Sequence, residues 1–218
     1  MNKLDAISEQ IRLSFDARTA AREQALTQAR TLTRRCANAI RAIHRDEAAL
    51  IEENLGAARR LANELRSSLA DYPDIFFSGY TQDALKEYAE ASCVYALVYN
   101  NNLPGPGDLG LESNTYLLGL AEAAGELRRR CLDILRDGHS AEAERLLSHM
   151  DDIYAVLVTM DYPDAITGGL RRLTDVVRGV NERTRGDMTI SLRQDRLERA
   201  LRDLEEQLNI ERPVTDRE

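Results

Sequence analysis

Two pairs of glutamates in this chain of 218 residues have the spacing of neighbours on a helix surface. Glu87 and Glu90 are three residues apart in the segment DALKEYAEASC, and Glu122 and Glu126 are four apart in LAEAAGELRRRC. Side chains at these separations lie next to each other on one face of a helix. The face of the first pair continues to Val94, which predicts that it turns toward a core or a cavity. Carboxylates in such a place must be paired, protonated or bound to a metal ion.

If the two pairs face each other, four carboxylates surround one space that suits a hard divalent cation. Mg²⁺ and Mn²⁺ prefer oxygen ligands, and in phosphoryl-transfer sites such ions stabilise the attacking and leaving oxygens. The pattern therefore indicates Mg²⁺ or Mn²⁺ as the cofactor and a phosphodiester or nucleotide as the substrate. The candidate catalytic and metal-binding residues are Glu87, Glu90, Glu122 and Glu126. Glutamate is also common on solvated helix surfaces, and that is the plain alternative.

Other site chemistries find less support in the chain. A dinuclear iron bundle uses Glu-x-x-His motifs, whereas His44, His139 and His149 lie outside both glutamate pairs. The segment GPGDLG does not match a phosphate-binding glycine loop. No Ser-His-Asp or Cys-His arrangement can be argued from the spacing of the residues. The carboxylate pairs are therefore the best candidates for a site.

The charge of the chain restricts how it could meet a nucleic acid. A net charge of −8 argues against a protein that coats nucleic acid over its whole surface, because phosphate affinity comes largely from lysine and arginine. Any such ligand must meet a local basic patch. Lys3 and Lys86 are the only lysines among the 29 basic residues. The candidate contacts are Arg34 and Arg41 in the first predicted helix and the pair Arg171 and Arg172, with a solvated surface as the alternative.

Apolar residues recur at helical spacing through nearly the whole chain, and no strand-like alternation flanked by hairpin turns interrupts them. We therefore expect an all-α fold of seven helices. The predicted helices span residues 4–43, 46–70, 81–100, 113–136, 140–160, 164–185 and 187–209, the first being one very long helix or two nearly collinear ones. The glutamate pairs fall on the third and fourth helices, whose packing could face one pair toward the other.

Length and composition predict a single domain over residues 1–218. No apolar run approaches the roughly 20 residues that a membrane-spanning helix needs, so no membrane association is expected. The N-terminal residues do not have the pattern of a signal peptide. The three cysteines are odd in number and widely separated, which argues against a disulfide framework and predicts buried, free thiols. We expect a cytoplasmic protein.

Three segments resemble the translin superfamily, and most closely its Trax (translin-associated factor X) branch. These segments are KEYAEA (86–91), TYLLGLAEAAGELRRRC (115–131) and GLRRLTDVVRGVNERTRG (169–186). In Trax proteins the corresponding third-helix motif reads approximately QEYVEA, and the fourth-helix motif reads DYLLGVADLTGEL. The resemblance covers most of the chain, and its most specific part is YLLG followed at a set distance by GEL.

The resemblance implies a seven-helix, all-α protein that assembles into a hollow octameric shell around nucleic acid. It also implies the Mg²⁺-dependent endoribonuclease of Trax, whose acidic residues lie in the two motifs. Glu87 and Glu90 match the glutamates of the first motif, and Glu126 matches the glutamate of GEL. Glu122 stands where Trax commonly has aspartate, which lengthens that side chain by one methylene. Arg171 and Arg172 match a basic cluster that contacts RNA in translin.

The insertion that eukaryotic Trax carries between these helices is absent, which implies a stand-alone prokaryotic or archaeal type of homologue that forms its own homo-oligomer. We therefore predict a metal-dependent endoribonuclease that cleaves single-stranded RNA inside an oligomeric shell. One alternative is a non-catalytic, translin-type protein that binds single-stranded RNA or DNA. The other is an all-α, MazG-like nucleoside triphosphate pyrophosphohydrolase, although its second acidic pair is typically ExxD.

Overall fold

A computed structural model describes residues 3–136 and 138–210 of the chain, and these residues form helices and loops with no strand. Six helices are long, and three consist of a single turn. They are α1 (Lys3–His44), α2 (Ala48–Ser68), α3 (Pro73–Phe76), α4 (Gly79–Val98), α5 (Pro106–Leu109), α6 (Ser113–Leu135), α7 (Ala141–Leu157), α8 (Asp164–Thr167) and α9 (Leu170–Ile210). The predicted all-α fold with a long N-terminal helix is confirmed. The sequence predicts a short polar tail in ERPVTDRE (211–218), and this segment lies outside the described residues.

The predicted sixth and seventh helices are one continuous helix, α9, of 41 residues. The prediction of a stop at Arg185–Gly186 is wrong because packing continues on both sides of the glycine: Thr184 is fully buried and Met188 is 3% exposed. A glycine inside a helix costs only about 1 kcal/mol relative to alanine, which this packing offsets. The break comes earlier, at Gly168 and Gly169, whose φ angles of 62° and 89° end α8 and begin α9.

Helix α4, which carries the first glutamate pair, belongs to both hydrophobic cores of the protein. Its Cys93 and Val94 pack with residues of α6, α7 and α9, including Leu127. Its Leu85 and Tyr88 pack on the other side with residues of α1 and α2. All three cysteines are buried and free, as predicted. The acidic side chains of α4 are therefore carried by the most thoroughly enclosed helix of the fold.

In the described part of the chain, no helix combines the length and the apolar character that crossing a membrane requires. Many of the exposed large apolar side chains lie in rows near the two ends of the chain. In α1 they include Leu4, Ile11 and Phe15, and in α9 they include Ile190, Leu197, Leu201, Leu204 and Leu208. These rows extend beyond the two cores and are not covered within the monomer.

Candidate metal centre

Helices α4 and α6 approach each other closely at Gly119, and this contact sets the geometry of the site. A Cβ atom on Gly119 would lie 2.6 Å from the Cβ of Ala89 and 2.6 Å from the carbonyl oxygen of Lys86. Real Cβ atoms do not come so close to other heavy atoms, so no other residue fits here without moving the helices apart. The glycine of the YLLG segment therefore allows the backbone of α6 to rest on the stretch of α4 between Lys86 and Glu90.

Three of the four predicted carboxylates converge next to this contact. One carboxylate oxygen from each of Glu87, Glu90 and Glu122 lies within 4.8 Å of the other two. The pair on α4 is adjacent because of its three-residue spacing, and Glu122 joins it from α6, one turn after Gly119. We call these three residues the carboxylate cluster. The fourth predicted residue, Glu126, has other partners.

The electrostatics of the cluster leave it short of positive charge. Glu90 is only 9% exposed, and its burial, together with the charges of Glu87 and Glu122, raises its pKa to about 8. Burial also raises the pKa of Glu87. Within the described residues, neither of these two carboxylates has a hydrogen bond or an ion pair. Three oxygen donors within a few ångströms, two of them unpaired, fit the donor set that Mg²⁺ or Mn²⁺ prefers.

Lys86 is the cation that faces the cluster. Its Nζ donates a hydrogen bond to Oε1 of Glu122 over 2.7 Å, and its side chain is 20% exposed. Burial alone would lower the pKa of Lys86, but the hydrogen bond to Glu122 and the charges of Glu122 and Glu87 outweigh it and raise the pKa. Lys86 thus stays protonated and neutralises part of the cluster.

Glu126 turns toward helix α1 and away from the convergent oxygens. Its Oε2 lies 2.6 Å from Nε2 of His44, whose side chain is only 5% exposed, and 3.7 Å from Nη1 of Arg129. The hydrogen bond with His44 is the main cause that lowers the pKa of Glu126. Its charge still raises the pKa of both Glu87 and Glu90. Glu126 is therefore a neighbour of the cluster, held in place by a buried histidine.

Lys86 and His44 contact carboxylates of the candidate site and are not among the residues predicted from the sequence. Lys86 stands inside the first motif and is one of two lysines in the chain, so its rarity and position were a usable signal. No sequence pattern identifies His44, because the residue to which it is hydrogen-bonded, Glu126, is 82 residues away in the sequence.

The four predicted RNA-binding arginines lie outside the carboxylate cluster. Arg171, Arg172, Arg34 and Arg41 are all exposed. Arg41 donates hydrogen bonds to the carbonyl of Ala37 and to Oδ1 of Asn38 in its own helix. The guanidinium groups of the other three have no hydrogen bond or ion pair with the described residues. They are available to a ligand that approaches the surface.

Known proteins share both sequence and fold with this chain, although no protein-family model matches it. An uncharacterised protein of Methanocaldococcus jannaschii is 34% identical over 183 residues, which are 83% of this chain and 81% of the relative. Three structures of C3PO have the same fold as this chain.

Two of these structures are of AfC3PO, one of them a complex with duplex RNA. The complex superposes with a TM-score of 0.79 and 32% identity over 84% of this chain and 95% of that chain. AfC3PO without RNA gives a TM-score of 0.78 at the same identity and coverage. The crystal structure of apo-NeC3PO gives a TM-score of 0.77, covering 88% of this chain and 98% of the other. At 19% identity, that third likeness concerns the fold alone.

Proposed function

This chain belongs to the translin superfamily, and on that basis we propose that it is a Trax-type, metal-dependent endoribonuclease that cleaves single-stranded RNA. The observation that carries the proposal is the carboxylate cluster, in which Glu87, Glu90 and Glu122 converge within 4.8 Å. Glu87 and Glu90 have no hydrogen-bond or ion-pair partner among the described residues, so their oxygens are available to a divalent cation. The RNA complex of AfC3PO supports RNA as the ligand.

Glu87, Glu90 and Glu122 would hold the ion, with Glu126 as the fourth candidate ligand. When bound, a Mg²⁺ or Mn²⁺ ion stabilises the negative charge that develops on the scissile phosphate. Glu90 must release its proton to become a ligand, because its pKa of about 8 keeps it mostly protonated at neutral pH. His44 keeps Glu126 ionised and oriented beside the cluster. Arg171 and Arg172 would bind the phosphates of the strand and position it.

A non-catalytic, translin-type binder of single-stranded RNA or DNA is the second candidate. The ion pair between Lys86 and Glu122, and the hydrogen bond between His44 and Glu126, favour it because both carboxylates already have partners without a metal ion. This candidate predicts RNA binding without cleavage. The likeness to C3PO over most of the chain favours either translin-type function over a MazG-like pyrophosphohydrolase.

One experiment separates these functions. The purified protein is incubated with end-labelled single-stranded RNA and, separately, with deoxynucleoside triphosphates, in Mg²⁺ or in EDTA. We expect the wild type to cut RNA only in Mg²⁺, and we expect Glu90→Gln and Glu126→Gln to lose most of that activity. Glu64→Gln, which removes the same charge from an exposed position on α2, is the matched control and is expected to cut normally. If RNA survives in Mg²⁺, or if all variants cut RNA equally well, the proposed nuclease function is wrong.

We also propose that the protein works in the cytoplasm as a homo-oligomer, and specifically as an octameric shell. The uncovered apolar rows support association, since residues such as Phe15 and Leu197 are 64% and 61% exposed in the monomer. Light scattering on purified protein tests the octamer, which would have a mass near 200 kDa given a chain of 24.5 kDa. A monomeric mass over the micromolar range would contradict it.

A further inference from the structure

A cavity opens directly beside the carboxylate cluster, between helices α4, α6 and α9. Its volume is about 260 Å³. Glu90 and Glu122 form one side, and these two residues also belong to the carboxylate cluster. Four aliphatic residues of α9 also line the cavity: Leu173, Val176, Val177 and Val180. The cavity therefore has one acidic edge and one aliphatic wall, and it shares its acidic edge with the candidate metal centre.

Small residues of α6 leave this space open. Ala121, Ala124 and Gly125 line it, and a Cβ atom placed on Gly125 would meet no other heavy atom within 4 Å. The two glycines of the family-like segment therefore do different things. Gly119 allows the helices to touch, whereas Gly125 keeps a side chain out of the cavity. Packing therefore does not require the glycine of the GEL segment.

The chemistry of the lining restricts the ligand. Among the described residues, no arginine or lysine lines the cavity, and its two carboxyl groups repel anions, so a phosphate does not fit. The volume lies below the range of roughly 300–1,000 Å³ that is usual for drug-sized ligands, so the ligand is a small one. An aliphatic wall suits the flat apolar face of a single ring system. Carboxyl oxygens suit a ring edge that carries N–H donors, and nucleobases combine these two features.

We propose that this cavity, which we call the base slot, receives the nucleobase of an unpaired ribonucleotide whose adjacent phosphate lies at the carboxylate cluster. The inference rests on the proposed ribonuclease function and gives its substrate preference a physical cause. A base can enter the slot only after leaving its stack and its pairing partner, which costs least in a single strand. The base slot therefore selects single-stranded RNA.

Arg172 lies one helical turn before Val176, which lines the slot. It precedes Val176 by four residues on α9, so the two side chains share a face. Val176 lines the slot and is 50% exposed, and the guanidinium of Arg172 has no partner among the described residues. A strand whose base enters the slot would therefore pass a free guanidinium that can bind a neighbouring phosphate.

The test uses single-stranded RNA in which 2-aminopurine replaces adenine and phosphorothioate links prevent cleavage. The fluorescence of 2-aminopurine is quenched by stacking and rises when the base enters an aliphatic cavity. Gly125→Leu fills the slot from α6, and Val176→Phe fills it from α9. Gly179→Leu is the matched control, because Gly179 is also an interior helix glycine with no heavy atom within 4 Å of an added Cβ. RNA affinity is followed by anisotropy, and folding is checked by circular dichroism.

We expect the fluorescence to rise with the wild type and with Gly179→Leu. With the two slot-filling variants we expect binding within about threefold of wild type but no rise. On unmodified RNA, these two variants should cut roughly tenfold more slowly, which corresponds to the loss of about 1.4 kcal/mol of transition-state binding. Equal fluorescence rises in all four proteins, or no rise in the wild type, would overturn the base slot. If the wild type shows the fluorescence rise, Gly125→Leu abolishes it and the wild type nevertheless never cuts RNA, the base slot stands and only the proposed nuclease activity is overturned.

Discussion

Gly119 of α6 lies directly against Ala89 of α4, so closely that a methyl group on Gly119 would stand 2.6 Å from the Cβ of Ala89. Ala89 is fully buried between the two glutamates of its helix. The contact therefore determines how far Glu122 stands from Glu87 and Glu90. The distance between the carboxylates of the cluster therefore depends on residue 119 being a glycine, which has no side chain.

Gly119→Ala should lower both the stability of the fold and the affinity of the candidate centre for a metal ion. Overpacking costs typically 1–3 kcal/mol, more than the roughly 1 kcal/mol that alanine gains over glycine in a helix. We expect a lower free energy of unfolding in urea and weaker Mn²⁺ binding by calorimetry, because α6 must move away from α4. Gly179→Ala, at an open position of α9, should be neutral or slightly stabilising. Equal stabilisation by both substitutions would show that the helices are not in such close contact.

The pKa of Glu90 predicts that the metal-free protein becomes less stable as the pH rises. Below pH 4.5, the ordinary pKa of the group, the folded and unfolded chains both hold this proton. Between that value and about 8 only the folded chain holds it, so the free energy of unfolding falls with pH and then levels off. The loss should total about 5 kcal/mol, because a rise from 4.5 to about 8 is worth about 1.4 kcal/mol for each pKa unit.

Glu90→Gln does not titrate and should lack this decline, so it should be more stable than wild type at pH 8 in EDTA. Urea unfolding at several pH values between 5 and 9 measures the effect. Glu64→Gln, on the exposed surface of α2, should keep the wild-type profile. Parallel profiles for wild type and Glu90→Gln would mean that Glu90 is already ionised in the folded protein.

Replacement of Lys86 should lower the free energy of unfolding of the metal-free protein and raise its affinity for a metal ion. Lys86→Gln leaves the carboxylate cluster without its cation, and we expect a loss of about 1–3 kcal/mol in EDTA from the unpaired, half-buried Glu122. Mn²⁺ would then no longer compete with the ammonium group, and its affinity should rise by about tenfold, or about 1.4 kcal/mol. Lys3→Gln, at the only other lysine, is the control. Weaker Mn²⁺ binding by Lys86→Gln would show that the ammonium group does not oppose the ion.

Arg171 and Arg172 should contribute to RNA affinity mainly by binding phosphates. Such binding makes the logarithm of the association constant fall linearly with the logarithm of salt concentration. Replacing both arginines by alanine should weaken binding to every RNA sequence and reduce the salt slope by roughly one for each phosphate that is no longer bound. Arg60→Ala, an exposed arginine on α2, should leave the slope unchanged. Fluorescence anisotropy at several salt concentrations provides the measurement, and an unaltered slope in the double variant would exclude these residues from the interface.

Much of the fold could be predicted from the sequence because helices depend on local periodicity. The buried face of α4 could be predicted in the same way, since Val94 continues the line of Glu90. The helix end proposed at Gly186 was wrong for a reason that local patterns do not contain. Thr184 and Met188 pack against the body of the protein on both sides of that glycine, and such packing outweighs a small local preference.

The sequence by itself determined that Glu87 and Glu90 are neighbours, because three residues of helix bring two side chains onto one face whatever surrounds them. The four-residue spacing of Glu122 and Glu126 likewise places these two side chains on one face of α6. Only the tertiary structure decided that Glu122 joins the carboxylate cluster while Glu126 binds His44. The physical reason is the contact at Gly119, which sets the approach of α6 to α4 and so decides which member of the second pair faces the first.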